Sequence, residues 1–210
     1  TKVINLANKY DLGVFIISPT DKGGHLHTPS TKMMELCKPL HPIVFNDLFC
    51  LRNKNVHTIS VGVAKETDFD LHLEAVSLLP ESEQYIPKII NRLRQEAINS
   101  LGLDWYQNWN RNLPSWEDTP GNINIIVLLW LSNLIDWLDM EGFARARYQL
   151  LGNGSDWFPG HNANLLDVDV SEEQLLKVLR GHINSKKVIQ KLRSLKEKFG
   201  DEVVKRLSKK

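Results

Sequence analysis

Cysteine is nearly missing from this chain: Cys37 and Cys50 are the only two in 210 residues. That excludes the disulfide framework of a small secreted domain and any four-thiolate zinc or iron–sulfur site, and it suits a reducing, cytoplasmic setting. Net charge is equally scarce. The 26 Lys and Arg stand against 25 Asp and Glu, so no overall field draws the molecule to nucleic acid or to an acidic membrane. Long apolar runs are absent too: the stretch from Ile123 to Leu131 meets Asn133 and Asp136 well before the roughly 20 apolar residues that a spanning helix needs, and no membrane segment is expected. The opening residues carry neither an initiator Met nor a basic stretch leading into an apolar one. This predicts no signal peptide and reads as the interior of a longer polypeptide. No solenoid repeat or low-complexity tract is present.

What is there is enough chain for a buried core, and an alternation of elements. Val3, Ile4, Leu6, Ala7 and Tyr10 recur at helical spacing, with Gly13 after them. Val14 to Ile17 is a continuous β-branched and aromatic run, the mark of a strand buried on both faces in a parallel sheet. Ser30 or Thr31 caps helical patterns through Met33 and Leu36, and again from Ile43 to Leu51. His57 to Val61 is a second strand, ended by Gly62, and Thr67 caps a helix with Phe69, Leu73 and Val76 on its inner face. Such an order implies right-handed β–α–β crossovers and parallel strands, with part of the sheet supplied from elsewhere. After Pro80 the pattern turns helical: Ile86 to Leu101, a tryptophan-rich turn region, Ile125 to Leu138, Met140 to Leu151, and amphipathic sequence from Ser171. The last part, Ser185 to Lys210, has ten Lys or Arg against three acids, yet Val188, Ile189, Leu192, Leu195 and Phe199 keep helical spacing, so it reads as a packing helix.

The chemistry gathers at the two strand exits. Ser18-Pro19-Thr20-Asp21-Lys22-Gly23-Gly24 ends the first strand in hydroxyls, a lysine and two glycines. A loop of this kind cradles phosphate through backbone N–H groups, or is an ordinary Gly/Pro connection. Val61-Gly62-Val63-Ala64-Lys65 is a second such exit, one β–α unit further on and opening onto a helix N-terminus. Two neighbouring exits of this type point to one anionic ligand.

This pair of segments resembles the last two β–α units of the aldo/keto reductases. In that family the loop after strand seven follows a Ser-Pro-x-x-x-Gly-like pattern and contacts the cofactor pyrophosphate; Ser18, Pro19, Thr20, Lys22, Gly23 and Gly24 occupy it here. The turn and helix after strand eight hold the adenosine phosphate and adenine, which by resemblance puts Gly62, Ala64, Lys65, Asp68 and His72 near that end. Leu113 to Trp116, Pro120 to Ile125, Ala144 to Tyr148, Leu151 to Gly154 and Trp157-Phe158-Pro159-Gly160 are similar to the C-terminal extension of the predicted-oxidoreductase branch. The resemblance implies an α/β chain: the last two β/α units of a (β/α)8 TIM barrel over 1–80, then a mostly α-helical extension over 81–210. It implies an NADP cofactor, NAD being the alternative, and a parent enzyme that reduces a carbonyl by hydride transfer. That enzyme's Asp, Tyr, Lys and His come from an N-terminal barrel half that would be this chain's partner. Two departures matter. The extension lacks the cysteine cluster of many relatives, so no iron–sulfur cluster is expected. Asp68 stands where the family usually has Gln or Arg near the 2′-phosphate, a repulsion that Lys65 offsets.

Other residues read as structural. His25, His27, His41, His57 and His72 show no metal-ligand spacing, so no metal site is expected. Trp130 and Trp137, and Trp105 and Trp109, have core spacing. Arg145 and Arg147 fit ion pairs with Asp139, Glu141 or Glu117 better than a ligand clamp. Tyr10, Tyr85, Tyr106 and Tyr148 lack the surroundings of a proton donor, so no catalytic residue is expected in this chain. The runner-up is a non-catalytic nucleotide-binding or interaction protein derived from the same family.

Overall fold

The computed structural model describes residues 2–20, 25–63, 65–153 and 158–201. It is mostly helical with a small parallel sheet, a mixed α/β organisation. Two compact units, Thr1–Glu96 and Ala97–Lys210, make up the chain; the sequence pattern changes at Pro80, and the division between the units falls inside a helix.

The first unit contains α1 (Lys2–Lys9), β1 (Phe15–Ile17), α2 (Thr31–Cys37), α3 (Pro42–Leu51), β2 (Thr58–Ser60), α4 (Asp68–Leu78) and most of α5 (Ser82–Leu101). The two strands pair in parallel, Ile16 opposite Ile59. Ser30 Oγ caps α2 by accepting from Met33 N–H at 3.0 Å, and Arg92 Nε donates to the Leu36 carbonyl at its far end, 3.1 Å. The core joins Cys37, Leu40, Val44, Leu48, Ala75, Ile86 and Ile89, so α3 packs on α4 and both lean on α5.

Two expectations are corrected here. β1 is not buried on both faces: Phe15 and Ile17 share one face and are 58% and 57% exposed. A parallel strand is covered on both sides only where layers flank both sides, and among the described residues this sheet has two strands. Nor do Phe69, Leu73 and Val76 form the inner face of α4, since all three are exposed. The helix turns His72 and Ala75 inward instead, toward α3, on which it packs, and the other stripe is exposed. α1 likewise buries no residue.

The second unit contains the end of α5, α6 (Leu103–Asn108), α7 (Ile125–Leu138), α8 (Glu141–Tyr148), α9 (Glu172–Val178) and α10 (Ser185–Phe199). Asn124 starts α7, its Oδ1 accepting from Val127 N–H at 3.2 Å and its Nδ2 donating to the Pro159 carbonyl at 2.8 Å. Leu128, Leu129 and Leu131 are fully buried, as are α10's Val188, Leu192 and Phe199. Trp105 is buried, its Nε1 donating to Asn133 Oδ1 at 2.8 Å, and Trp130 stacks on Phe158. Arg145 pairs with Glu141 at 3.0 Å, while Arg147 lies over the Phe143 and Phe158 rings. Gly160 has to be glycine: its φ is +80°, and a Cβ would come within 2.7 Å of the Asn122 carbonyl oxygen. Among the described residues no helix is long and apolar enough to cross a membrane.

Candidate functional site

The parallel register brings both strand exits to the same end of the sheet. The ladder runs one step further, Ser18 N–H donating to the Ser60 carbonyl at 3.1 Å. Ser18 then turns the chain with φ +52°, a left-handed conformation that costs a serine about 1 kcal/mol. The Pro19 carbonyl accepts from Asn46 Nδ2 of α3 at 3.3 Å. Thr20 is fully buried, and its carbonyl accepts from Leu26 N–H at 3.0 Å, closing the loop. His27 ties this loop to the second exit: its Nε2 is 3.0 Å from the Gly62 carbonyl. A Cβ at Gly62 would meet open space.

A cleft of about 700 Å³ opens between these loops and the first turns of α3 and α4, within the range of small-molecule sites. The loop contributes His27 and Thr28 to its lining, and α3 contributes His41 and Ile43. The turn after β2 and the start of α4 contribute Lys65, Thr67, Asp68 and Leu71. Two helices therefore begin at its wall, and their dipoles favour a negative ligand there; the first N–H groups of α4 already donate to the Lys65, Glu66 and Thr67 carbonyls, and Ile43 N–H of α3 donates to His41. Lys65 adds an exposed cation. The Asp68 carboxylate is turned to the backbone, Oδ2 accepting from Lys65 N–H at 3.2 Å. Thr67 makes no side-chain cap bond, although it precedes the helix.

His41 is the cap of α3, Nδ1 accepting from Ile43 N–H at 3.2 Å. Burial pulls its pKa below the ordinary imidazole value; Glu74 opposes the shift and His27 adds to it. Behind the cleft His72 turns inward, its Nδ1 2.5 Å from Asp47 Oδ2. Burial raises the Asp47 carboxyl above its usual range, against the lowering effect of the His72 hydrogen bond. Both cysteines are free thiols, and burial raises both, Cys37 to about 11. Neither is a ready nucleophile.

Of the residues singled out in the sequence, Lys65 and Asp68 line the cleft, Gly62 is bonded to its wall, and Ser18, Pro19 and Thr20 form the adjoining exit. His72 sits behind α4 with Asp47. Lys22, Gly23, Gly24 and Ala64 lie outside the described residues. The sequence reading missed His27, Thr28, His41 and Thr67 as wall residues. His41 had a legible signal, since it directly precedes Pro42 where a helix cap is due. Asp47 had another, as the one acid in the apolar run of α3. Among the described residues no group of three or more His, Cys, Asp or Glu is arranged to hold a metal. No family model, no curated protein and no solved structure matches this chain.

Proposed function

We propose that residues 1–80 supply the phosphate-binding end of an NADP(H) site, and that the chain is the C-terminal portion of an aldo/keto reductase. One observation carries this reading: the loop that follows β1 and the turn that follows β2, at the same end of a parallel pair, both wall a single cleft together with the first turns of two helices. Ligands of parallel α/β folds sit at the C-terminal ends of strands, with phosphates on helix N-termini. Lys65 would supply charge, and Thr28 and Thr67 hydroxyls, to a nucleotide phosphate in this cleft. The bound dinucleotide would supply the hydride; this chain's residues hold and orient it.

The open faces of α1, β1 and α4 suit a sheet continued by further β/α units, the barrel half expected to bear the catalytic Asp, Tyr, Lys and His. Tyr148 supports the same division of labour. It is fully buried and hydrogen-bonded to Asn164 at 2.5 Å, and burial raises its phenol above the ordinary value, which disfavours proton donation. A cytosolic setting accords with the two free thiols.

Calorimetric titration of the chain with NADPH tests the proposal. Binding is expected, weakened about tenfold by Lys65→Ala, the loss of one charge-assisted phosphate contact. A folded chain that takes up no NADPH would remove it. Carbonyl reduction by this chain alone would contradict the absence of a catalytic half.

A further inference from the structure

Lys187 and Lys191 are four apart on α10 and so share one face of the helix. Both ammonium groups lie over the same indole: Lys187 Nζ is 4.6 Å and Lys191 Nζ 5.4 Å from the centre of the Trp105 ring. Trp105 itself is buried and held by Asn133. Two cations thus meet at one ring, and their other partners are divided unequally between them.

Lys191 takes the ion pair. Its Nζ is 2.5 Å from Asp136 Oδ2 and donates to Ser132 Oγ at 3.1 Å, both on α7. Among the described residues Lys187 has no such pair; its Nζ donates to the Leu101 carbonyl, at the end of α5, over 3.5 Å. Asp104 of α6 acts on it only at longer range. His182, the other titratable group against the indole, is bonded at both nitrogens, to the Trp109 carbonyl and to Asn184 N–H. The indole face favours an ammonium, but it is shared and leaves the mutual repulsion standing. Burial first, and then the Lys191 charge, lower the pKa of Lys187 below the ordinary amine value, against the opposing pull of Asp136 and Asp104.

Desolvation and a neighbouring cation are two arrangements that turn a lysine into a nucleophile. Lys187 is half-buried rather than sealed in, so a small electrophile can reach it. We propose that Lys187 is an acylation site, taking a short acyl group from an acyl thioester. The Nζ lone pair adds to the thioester carbonyl carbon, the C–N bond forms as the C–S bond breaks, and the amine proton leaves with the thiol; nothing is oxidised or reduced. The amide product is uncharged. It removes the repulsion between the two lysines and leaves the Lys191–Asp136 pair in place. This site belongs to the second unit and does not depend on the nucleotide reading.

The test is a time course of the full chain with S-acetyl-N-acetylcysteamine at neutral pH, followed by peptide mass mapping. Lys187 is expected to acylate about threefold faster than its exposed neighbour Lys186, the size of one screened charge interaction. Lys191→Met removes the second cation and frees Asp136, and it should slow Lys187 by a similar factor while Lys186 is unchanged. Lys191→Arg keeps the charge and should keep the fast rate. Asp104→Asn, at an exposed position, should speed Lys187 about twofold, and it decides alone if Lys191→Met does not fold. A Lys187 rate at or below that of Lys186 would overturn the proposal. So would a rate that these two variants leave unchanged in chains with native far-UV circular dichroism.

Discussion

α1 and α10 are both amphipathic by sequence, yet α10 buries Val188, Ile189, Leu192, Leu195 and Phe199 while α1 buries nothing. The contrast extends to the two units. In the second, the exposed large apolar residues Leu103, Ile126, Val168 and Ile183 are scattered singly, as on most surfaces. In the first they gather: Val3, Leu6 and Tyr10 on or just after α1, Phe15 and Ile17 on β1, Phe69, Leu73 and Val76 on α4. Periodicity says which residues lie on one face. It does not say whether anything covers that face.

The largest expected effect sharpens this contrast. Leu131→Ala, at a fully buried position of α7, should cost about 4 kcal/mol in urea unfolding, while Leu73→Ala, on an open face, should stay within about 0.5 kcal/mol. Comparable losses at the two positions would mean that α4 is covered after all. Next in size is Asp47→Ala, which strands the His72 ring in the interior and should destabilise the first unit by about 3 kcal/mol. Hydrogen exchange should report it in α3 and α4, leaving α7 and α10 protected.

The smallest effect is a difference in sign with pH. Burial raises the Asp47 carboxyl, so its contribution to the first unit is fully present below the ordinary carboxylate range and fades as pH rises through its folded value. Hydrogen bonds from Lys198 and Arg145 lower Glu141, and Arg193 lowers Asp167. Their contribution to the second unit is present above the ordinary range and fades as pH falls through the folded values. In acid titrations followed by circular dichroism, Asp47→Asn and Glu141→Gln should shift the midpoints in opposite directions. A shared direction would show that the two carboxyls do not differ in this way.

Local order was legible in the sequence. The runs at 14–17 and 57–61 contain both strands, and α7 spans the expected Ile125–Leu138, because an apolar period needs no knowledge of partners. α5 begins at Ser82, four residues before the expected start at Ile86, with Pro87 inside it. Pro87 is the sixth residue of α5 and so lies past the four N–H groups that a helix start leaves unbonded; it costs the helix the bond to the Glu83 carbonyl, which is why the sequence pattern starts later than the helix does. The site was legible in part. Lys65 was singled out by the strand-exit pattern and Asp68 by the family resemblance, and both line the cleft, while His27, Thr28 and His41 line it from a segment distant in sequence from Lys65, which no local spacing records.

The open face of β1 also governs how the molecule behaves among its own copies. With a net charge of only +1, little long-range repulsion keeps chains apart. A short strand bearing Phe15 and Ile17 toward solvent then offers apolar surface to other copies. Colloidal behaviour should therefore follow these two side chains more than the ionic strength of the buffer.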